Sequence, residues 1–215
     1  ILFALCACST TIKPPAERGS VYTRLEQAAE AGDPESQHMF ANTMRVMQKY
    51  DEAVVWYTKA AAQGHVDAKY NLALMYAGEA GIEPDYDKAL ALLNELIQSG
   101  DPRAKQVLGT MYVLGRGVEQ DDQKAFWLFS TALMGGDQSA AENLALMYRE
   151  GRYVEKDIEK AKELYLMTAV LYSAYAQVQL GDIYFYGEGG TPNYAKAREW
   201  YLRAAELNDS TAQFM

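Results

Sequence analysis

The sequence predicts an all-α solenoid of antiparallel helical hairpins, and three observations carry that expectation. Tyr76, Tyr112, Tyr148 and Tyr184 recur at a fixed interval of 36 residues. The same interval carries Ala68, Ala104, Ala140 and Ala176, then Leu72, Leu108, Leu144 and Leu180, then Lys88-Ala89, Lys124-Ala125, Lys160-Ala161 and Lys196-Ala197. Within one interval the apolar residues fall twice at helical spacing: Ala104, Leu108, Met111 and Tyr112 share one face, and Ala125, Leu128, Phe129 and Ala132 share another. A unit of this length cannot bury its own apolar face, so neighbouring units must stack to make a core.

Composition narrows the partners. The chain carries 20 Lys and Arg against 29 Asp and Glu, a net charge of −9, and no basic stripe, so a phosphate backbone is repelled and nucleic acid is not expected as a partner. The two cysteines, Cys6 and Cys8, both sit at the N-terminus. The folded body therefore has neither a disulfide framework nor a thiolate metal site, and its repeats must hold by packing.

The chain opens on the apolar run Ile1 to Ala7, read as the C-terminal part of a signal peptide (1–7). Leu5-Cys6-Ala7-Cys8 resembles the lipobox of bacterial lipoproteins, an aliphatic residue, two small residues and the modified cysteine. That resemblance implies cleavage after Ala7, lipidation of Cys8 and anchorage by more than one acyl chain, which holds a protein stably as a single chain does not. With Ser9 rather than Asp after the cysteine, it also implies an outer-membrane location facing the periplasm. Residues 8–19 contain Pro14-Pro15 and no apolar periodicity, which suits an extended tether. Residues 20–32 read as one amphipathic helix ending at Gly32, an N-terminal cap resembling the second half of a repeat.

Five repeats follow, at 33–64, 65–100, 101–136, 137–172 and 173–208, each read as two helices. In the third, Gly115-Arg116-Gly117-Val118 separates the helices. Its glycines can stop the first helix, Val118 can tuck into the core, and Asp121 or Asp122 can accept from the free N–H groups that open the second helix. The column Ala41, Ala73, Gly109, Ala145 and Gly181 lets the two helices approach, and Tyr57, Leu93, Phe129, Tyr165 and Tyr201 fill the remaining space. The recurring tyrosines, Tyr112 among them, are expected to be buried packing residues. The first repeat is four residues short in its loop. The fourth has Tyr153 in place of the second loop glycine, and its end at Tyr172 puts a regular glycine turn before the fifth in question. Asn208 replaces a closing glycine, and residues 209–215 restart the pattern with Ala212, the beginning of a sixth repeat.

The pattern Ala-x3-Leu-Gly-x2-Tyr, then Gly-x-Gly-Val-x2-Asp-x2-Lys-Ala, then an aromatic and Ala near a closing Gly-Asp, resembles the Sel-one-like repeat, a 36-residue relative of the tetratricopeptide repeat. The third repeat matches it nearly throughout, and the resemblance covers residues 33–208. It implies a right-handed solenoid whose first helices line a concave groove. Transferring that register places Arg103, Gln106 and Thr110 inward in the third repeat, Glu142 and Arg149 in the fourth, and Tyr175, Val178, Asp182, Phe185 and Tyr186 in the fifth. Phe185 and Tyr186 are additional to the framework Tyr184 and, with Tyr175, make an apolar patch that either binds a partner or packs against a sixth repeat.

Catalytic equipment is not evident. His38 and His65 have no metal-ligand spacing to another His or Cys, so no metal or other cofactor is expected. His38 falls on a groove-facing position of its helix, where a solvated histidine is the simpler account. The glycines near 115 and 187 lie between helices without a preceding strand, which a phosphate loop requires. Trp56 and Trp200 fall in one core column with Leu92, Leu128 and Leu164, so the tryptophans, Trp127 included, are read as packing rather than as a sugar-stacking set. The function expected is a non-catalytic protein-interaction scaffold, lipid-anchored in the bacterial envelope. The alternatives are an accessory of a secretion or exopolysaccharide-assembly complex and, ranked last, a hydrolase acting on cell-wall material.

Overall fold

The computed structural model describes residues 21–79, 81–171 and 173–212. Cys8, the tether through residue 19, Tyr172 and residues 213–215 lie outside them. Among the described residues there are eleven α-helices, one π-helical turn and no strand. The chain divides into two compact units, the first ending at Ala68 and the second beginning at Lys69.

In the first unit, α1 (Val21–Glu30) packs on α2 (Pro34–Val46), which pairs with α3 (Tyr50–Ala62). Asp33 caps α2 by accepting the Ser36 N–H at 2.8 Å, one of the orphan donors at a helix start. Gln37 is buried and its amide donates to the Ala29 carbonyl at the end of α1 at 3.1 Å, so the cap helix is tied by a satisfied polar contact as well as by packing. Rings of Tyr22, Phe40 and Trp56 pack in series, with centroids 5.5 and 5.3 Å apart. The shortened loop turns at Gln48, whose φ of 61° takes the left-handed conformation that a glycine holds in the longer loops.

Helix α4 (Val66–Leu74) begins in the last residues of the first unit, runs into the π-helical turn Met75–Glu79 of the second and is followed by α5 (Tyr86–Gln98). The turn departs from the expected plain α-helix. Gly78 comes one residue earlier than the register of Gly115 requires, and a wide turn absorbs the difference. The hairpins α6 (Pro102–Leu114) with α7 (Asp122–Met134), α8 (Ala140–Glu150) with α9 (Ile158–Ala169), and α10 (Ala174–Tyr186) with α11 (Tyr194–Ala212) follow, each pair closely packed. Their short loops make the partners antiparallel neighbours, the arrangement of an α-solenoid.

Each loop of this unit closes in the same way. The N–H groups of Asp85, Asp121, Asp157 and Asn193 donate to the carbonyls of Tyr76, Tyr112, Tyr148 and Tyr184 at 2.7–3.1 Å. The same Asp and Asn side chains cap the following helices through the N–H groups of Lys88, Lys124, Lys160 and Lys196. Lys88, Lys124 and Lys196 then lie over the rings of Tyr76, Tyr112 and Tyr184 at 5.1–5.2 Å, so the tyrosine and lysine columns are halves of one contact. This corrects the expectation of a buried tyrosine column: all four tyrosines are half-buried, and at Tyr76, Tyr112 and Tyr184 the outer face carries a lysine ammonium group that must stay hydrated. The large column is buried at Tyr57, Leu93, Phe129 and Tyr165, as the spacing suggested, whereas Tyr201, its fifth member, is only half-buried. Trp56 and Trp200 are also only half-buried, with Lys59 and Arg203 on their faces.

Two loops depart from the glycine pattern. Tyr153 adopts φ of 64°, keeping the left-handed turn despite its side chain, while its ring packs on Phe126 and its hydroxyl accepts from Gln123 at 3.0 Å. Those contacts offset the strain that a non-glycine residue meets there. At Asn208 the expected break is missing, and α11 runs on to Ala212. Gly64, Gly100 and Gly136 occupy the equivalent place with φ of 87–99°, which a glycine adopts without strain.

Candidate functional site

Most polar residues assigned to the groove are engaged within the chain. Arg103, at the start of α6, forms a bidentate pair with Asp101, with Nη2 to Oδ2 at 2.7 Å, and lies over the Tyr70 ring at 4.6 Å. Gln106 and Thr110 are half-buried and bonded to each other one turn apart. Glu142 is half-buried on α8. Arg149, at the end of α8, reaches Glu188 beyond α10 through Nε at 3.0 Å and through Nη2, and its Nη1 donates to Gln179 at 2.6 Å. Its side chain is only 16% exposed and that of Glu188 only 21%. The Arg149 guanidinium holds the Glu188 carboxyl below the usual carboxylate range, with burial opposing it.

Asp182 also turns inward. The Tyr201 hydroxyl donates to its Oδ1 at 2.7 Å, and burial followed by this carboxylate pushes the Tyr201 hydroxyl up to about 12. The same pairing occurs in the first repeat, where the Tyr57 hydroxyl donates to Asn42. The two pairs share register.

The aromatic residues behave differently. Tyr186 is 68% exposed and Phe185 is 44% exposed. Their rings meet edge to face at 5.1 Å, and Tyr194 of α11 joins them at 5.5 Å from Phe185. Beside them Phe185, Tyr194, Ala197, Arg198, Tyr201 and Leu202 line an apolar depression of about 300 Å³. In the preceding repeat the counterparts of Ala197 and Tyr201, Ala161 and Tyr165, are fully buried in the core that α10 completes. Tyr175 does not join this cluster. It lies eleven residues earlier on α10, about 16 Å along the axis, and packs on Tyr165 at a ring distance of 6.3 Å. Val178 is at the margin of exposure. A second depression, of about 350 Å³, is lined by Leu108, Tyr112, Lys124, Leu128, Thr131 and Trp127, which is 56% exposed rather than packed as its apolar surface leads one to expect.

The structure also joins residues that their spacing kept apart. Glu35 and His38 on α2 meet His65, the residue before α4, and one ligand-type atom from each lies within 4.8 Å of the others. Burial, then the adjacent His65, holds His38 below the usual histidine range, so that its ring is neutral at pH 7. His65 replaces the Asp or Ser that caps a first helix at 33, 101 and 173, and this substitution was the available signal.

The paired helices and the repeated loop closure define a solenoid of helical hairpins. Residues 43–65, 66–101, 102–137, 138–169 and 174–209 match the Sel1 repeat, and the chain belongs to that family. Sel1 repeat proteins mediate protein–protein interaction and are typically non-catalytic scaffolds. Similar solved structures include a Sel1 repeat protein from Oxalobacter formigenes, 28% identical, with a TM-score of 0.68 over 86% of this chain and 82% of that one. Another is c5321, a protective antigen of uropathogenic Escherichia coli with the SLR fold, 30% identical, with a TM-score of 0.67; it is matched over 87% of this chain but 41% of its own length. A third is a Sel1 repeat protein from Klebsiella pneumoniae, 28% identical, with a TM-score of 0.62 over 88% of this chain and 94% of that one. Among curated proteins none matches the chain.

Proposed function

We propose that the chain is a non-catalytic scaffold that holds an amphipathic helix of a protein partner against Phe185, Tyr186 and Tyr194, and that a lipid on Cys8 tethers it to an envelope membrane. The exposed edge-to-face cluster carries the binding reading. Exposed aromatic groups beside an apolar depression supply large contact area at small entropic cost, and they are enriched at binding hot spots. One repeat earlier the same columns are covered by helix α10 of this chain, so a helix fits here, supplied by a partner or by a following repeat. The net charge of −9 favours a partner with a basic rim around its apolar stripe.

The tether reading rests on Leu5-Cys6-Ala7-Cys8. No helix among the described residues is long and apolar enough to cross a membrane, so membrane association through the body of the chain is not otherwise provided for in them. Cys8→Ala in the full-length gene should abolish labelled-palmitate incorporation and release the protein from membranes. Retention of both would overturn the lipid tether. Affinity capture from native membranes tests the binding reading, with an aromatic-cluster variant as the control.

A further inference from the structure

His38 and His65 are 27 residues apart in sequence. Their rings nevertheless meet with centroids 4.6 Å apart, and the Glu35 carboxylate stands 3.1 Å from His65 Nε2. We infer that Glu35, His38 and His65 form a binding site for a divalent transition-metal cation of the zinc class, held by two imidazole nitrogens and one carboxylate oxygen with a fourth position open. Two histidines and one glutamate around an open position is a set that zinc adopts, whereas calcium and magnesium select oxygen ligands throughout. Glu35 and His38 are three residues apart on α2, so one helical turn delivers both to the same face.

The geometry needs only a small closure. Zinc bonds of about 2.0–2.2 Å in a tetrahedron put ligand atoms about 3.4 Å apart. The atoms here lie within 4.8 Å of one another, and Glu35, with a side chain 67% exposed, is free to change rotamer. His38 has an outer partner suited to a ligand: the Asn42 amide is 3.2 Å from Nε2, and Asn42 is in turn bonded to the Tyr57 hydroxyl. If Asn42 presents its oxygen, it fixes the proton on Nε2 and leaves Nδ1 for the metal, while the Tyr57 hydroxyl accepts instead of donating. His65 Nδ1 accepts the Ala68 N–H at 3.2 Å, so the neutral ring carries its proton on Nε2, toward Glu35. Coordination through Nε2 shifts that proton to Nδ1 and gives up the cap, exchanging one neutral hydrogen bond for a metal–nitrogen bond. The bound cation would then staple α2 to the start of α4.

The test is a titration of the full chain, its cysteines alkylated, with Zn2+ and with Co2+ as a spectroscopic probe. His65→Asn removes the ligand but keeps a capping side chain. One cation per chain, visible Co2+ ligand-field bands and a rise in melting temperature are expected for the native sequence. Removing an outer partner alone costs about 10–100-fold in affinity, so His65→Asn should weaken binding by about 100-fold or more. Glu35→Gln, at an exposed position, should weaken binding without altering the metal-free melt. Equal binding by the native chain and both variants would overturn the site, as would failure of Zn2+ to bind the native chain.

Discussion

The backbone of Gly109 on α6 lies under the ring of Phe129 on α7, so close that a methyl group there would stand 2.6 Å from Cε1. In an open helix, glycine to alanine would gain about 1 kcal/mol of propensity. Here overpacking costs about 1–3 kcal/mol, because the buried ring has nowhere to move. Gly109→Ala should therefore lower the melting temperature, and a rise would show that the two helices are not in this contact.

The half-buried tyrosines set an order of costs. Phe129→Ala, at a position 1% exposed, should cost about 3–5 kcal/mol, as large buried truncations do. Tyr112→Ala removes a half-buried ring with Lys124 on its face and should cost about 1–2 kcal/mol. Arg116→Ala, in the exposed loop, should stay within about 0.5 kcal/mol. Denaturant melts of the three variants check the ranking.

Acid should weaken the tie between α8 and the loop after α10. Glu188 ionises below its ordinary 4.5 in the folded chain, so its contribution is present above that value and is lost as pH falls through the lower folded pKa. Near neutrality Glu188→Gln should cost about 1–3 kcal/mol, between the values for exposed and buried pairs. The difference from the native chain should shrink as melts are taken from pH 7 down past pH 4.5. A constant difference would mean that the pair is not formed.

The periodic parts of the fold were legible because each column repeats one local environment: Ala104 recurs as Ala140 for the same helix contact, and Asp121 as Asp157 for the same cap. What a column cannot reveal is the non-periodic partner. Arg149 and Glu188 are 39 residues apart, so their pairing crosses a repeat and a loop, and neither charge announces the other. The half-burial of Tyr112 followed from Lys124 reaching across to its ring, which spacing alone left unassigned. The groove register placed Phe185 and Tyr186 at the surface, but it also placed there Asp182 and Arg149, whose polar heads are taken by Tyr201 and Glu188.

Tyr175 separates packing from binding. Its ring is 47% exposed but rests on Tyr165, so Tyr175→Ala should lower stability by about 1–2 kcal/mol and change partner capture little. Thermal melts alongside capture assays distinguish the two effects. An unchanged melt with lost capture would move Tyr175 into the binding surface.

Capture of the native partner from membranes by Tyr186→Ala tests the interaction surface most directly. Tyr186 is 68% exposed, so its removal should leave the helical circular dichroism and melting temperature unchanged. A hot-spot aromatic contributes about 2 kcal/mol or more, so capture should fall by roughly 30-fold. Undiminished capture by a stably folded Tyr186→Ala chain would contradict the proposal that the partner binds at this cluster.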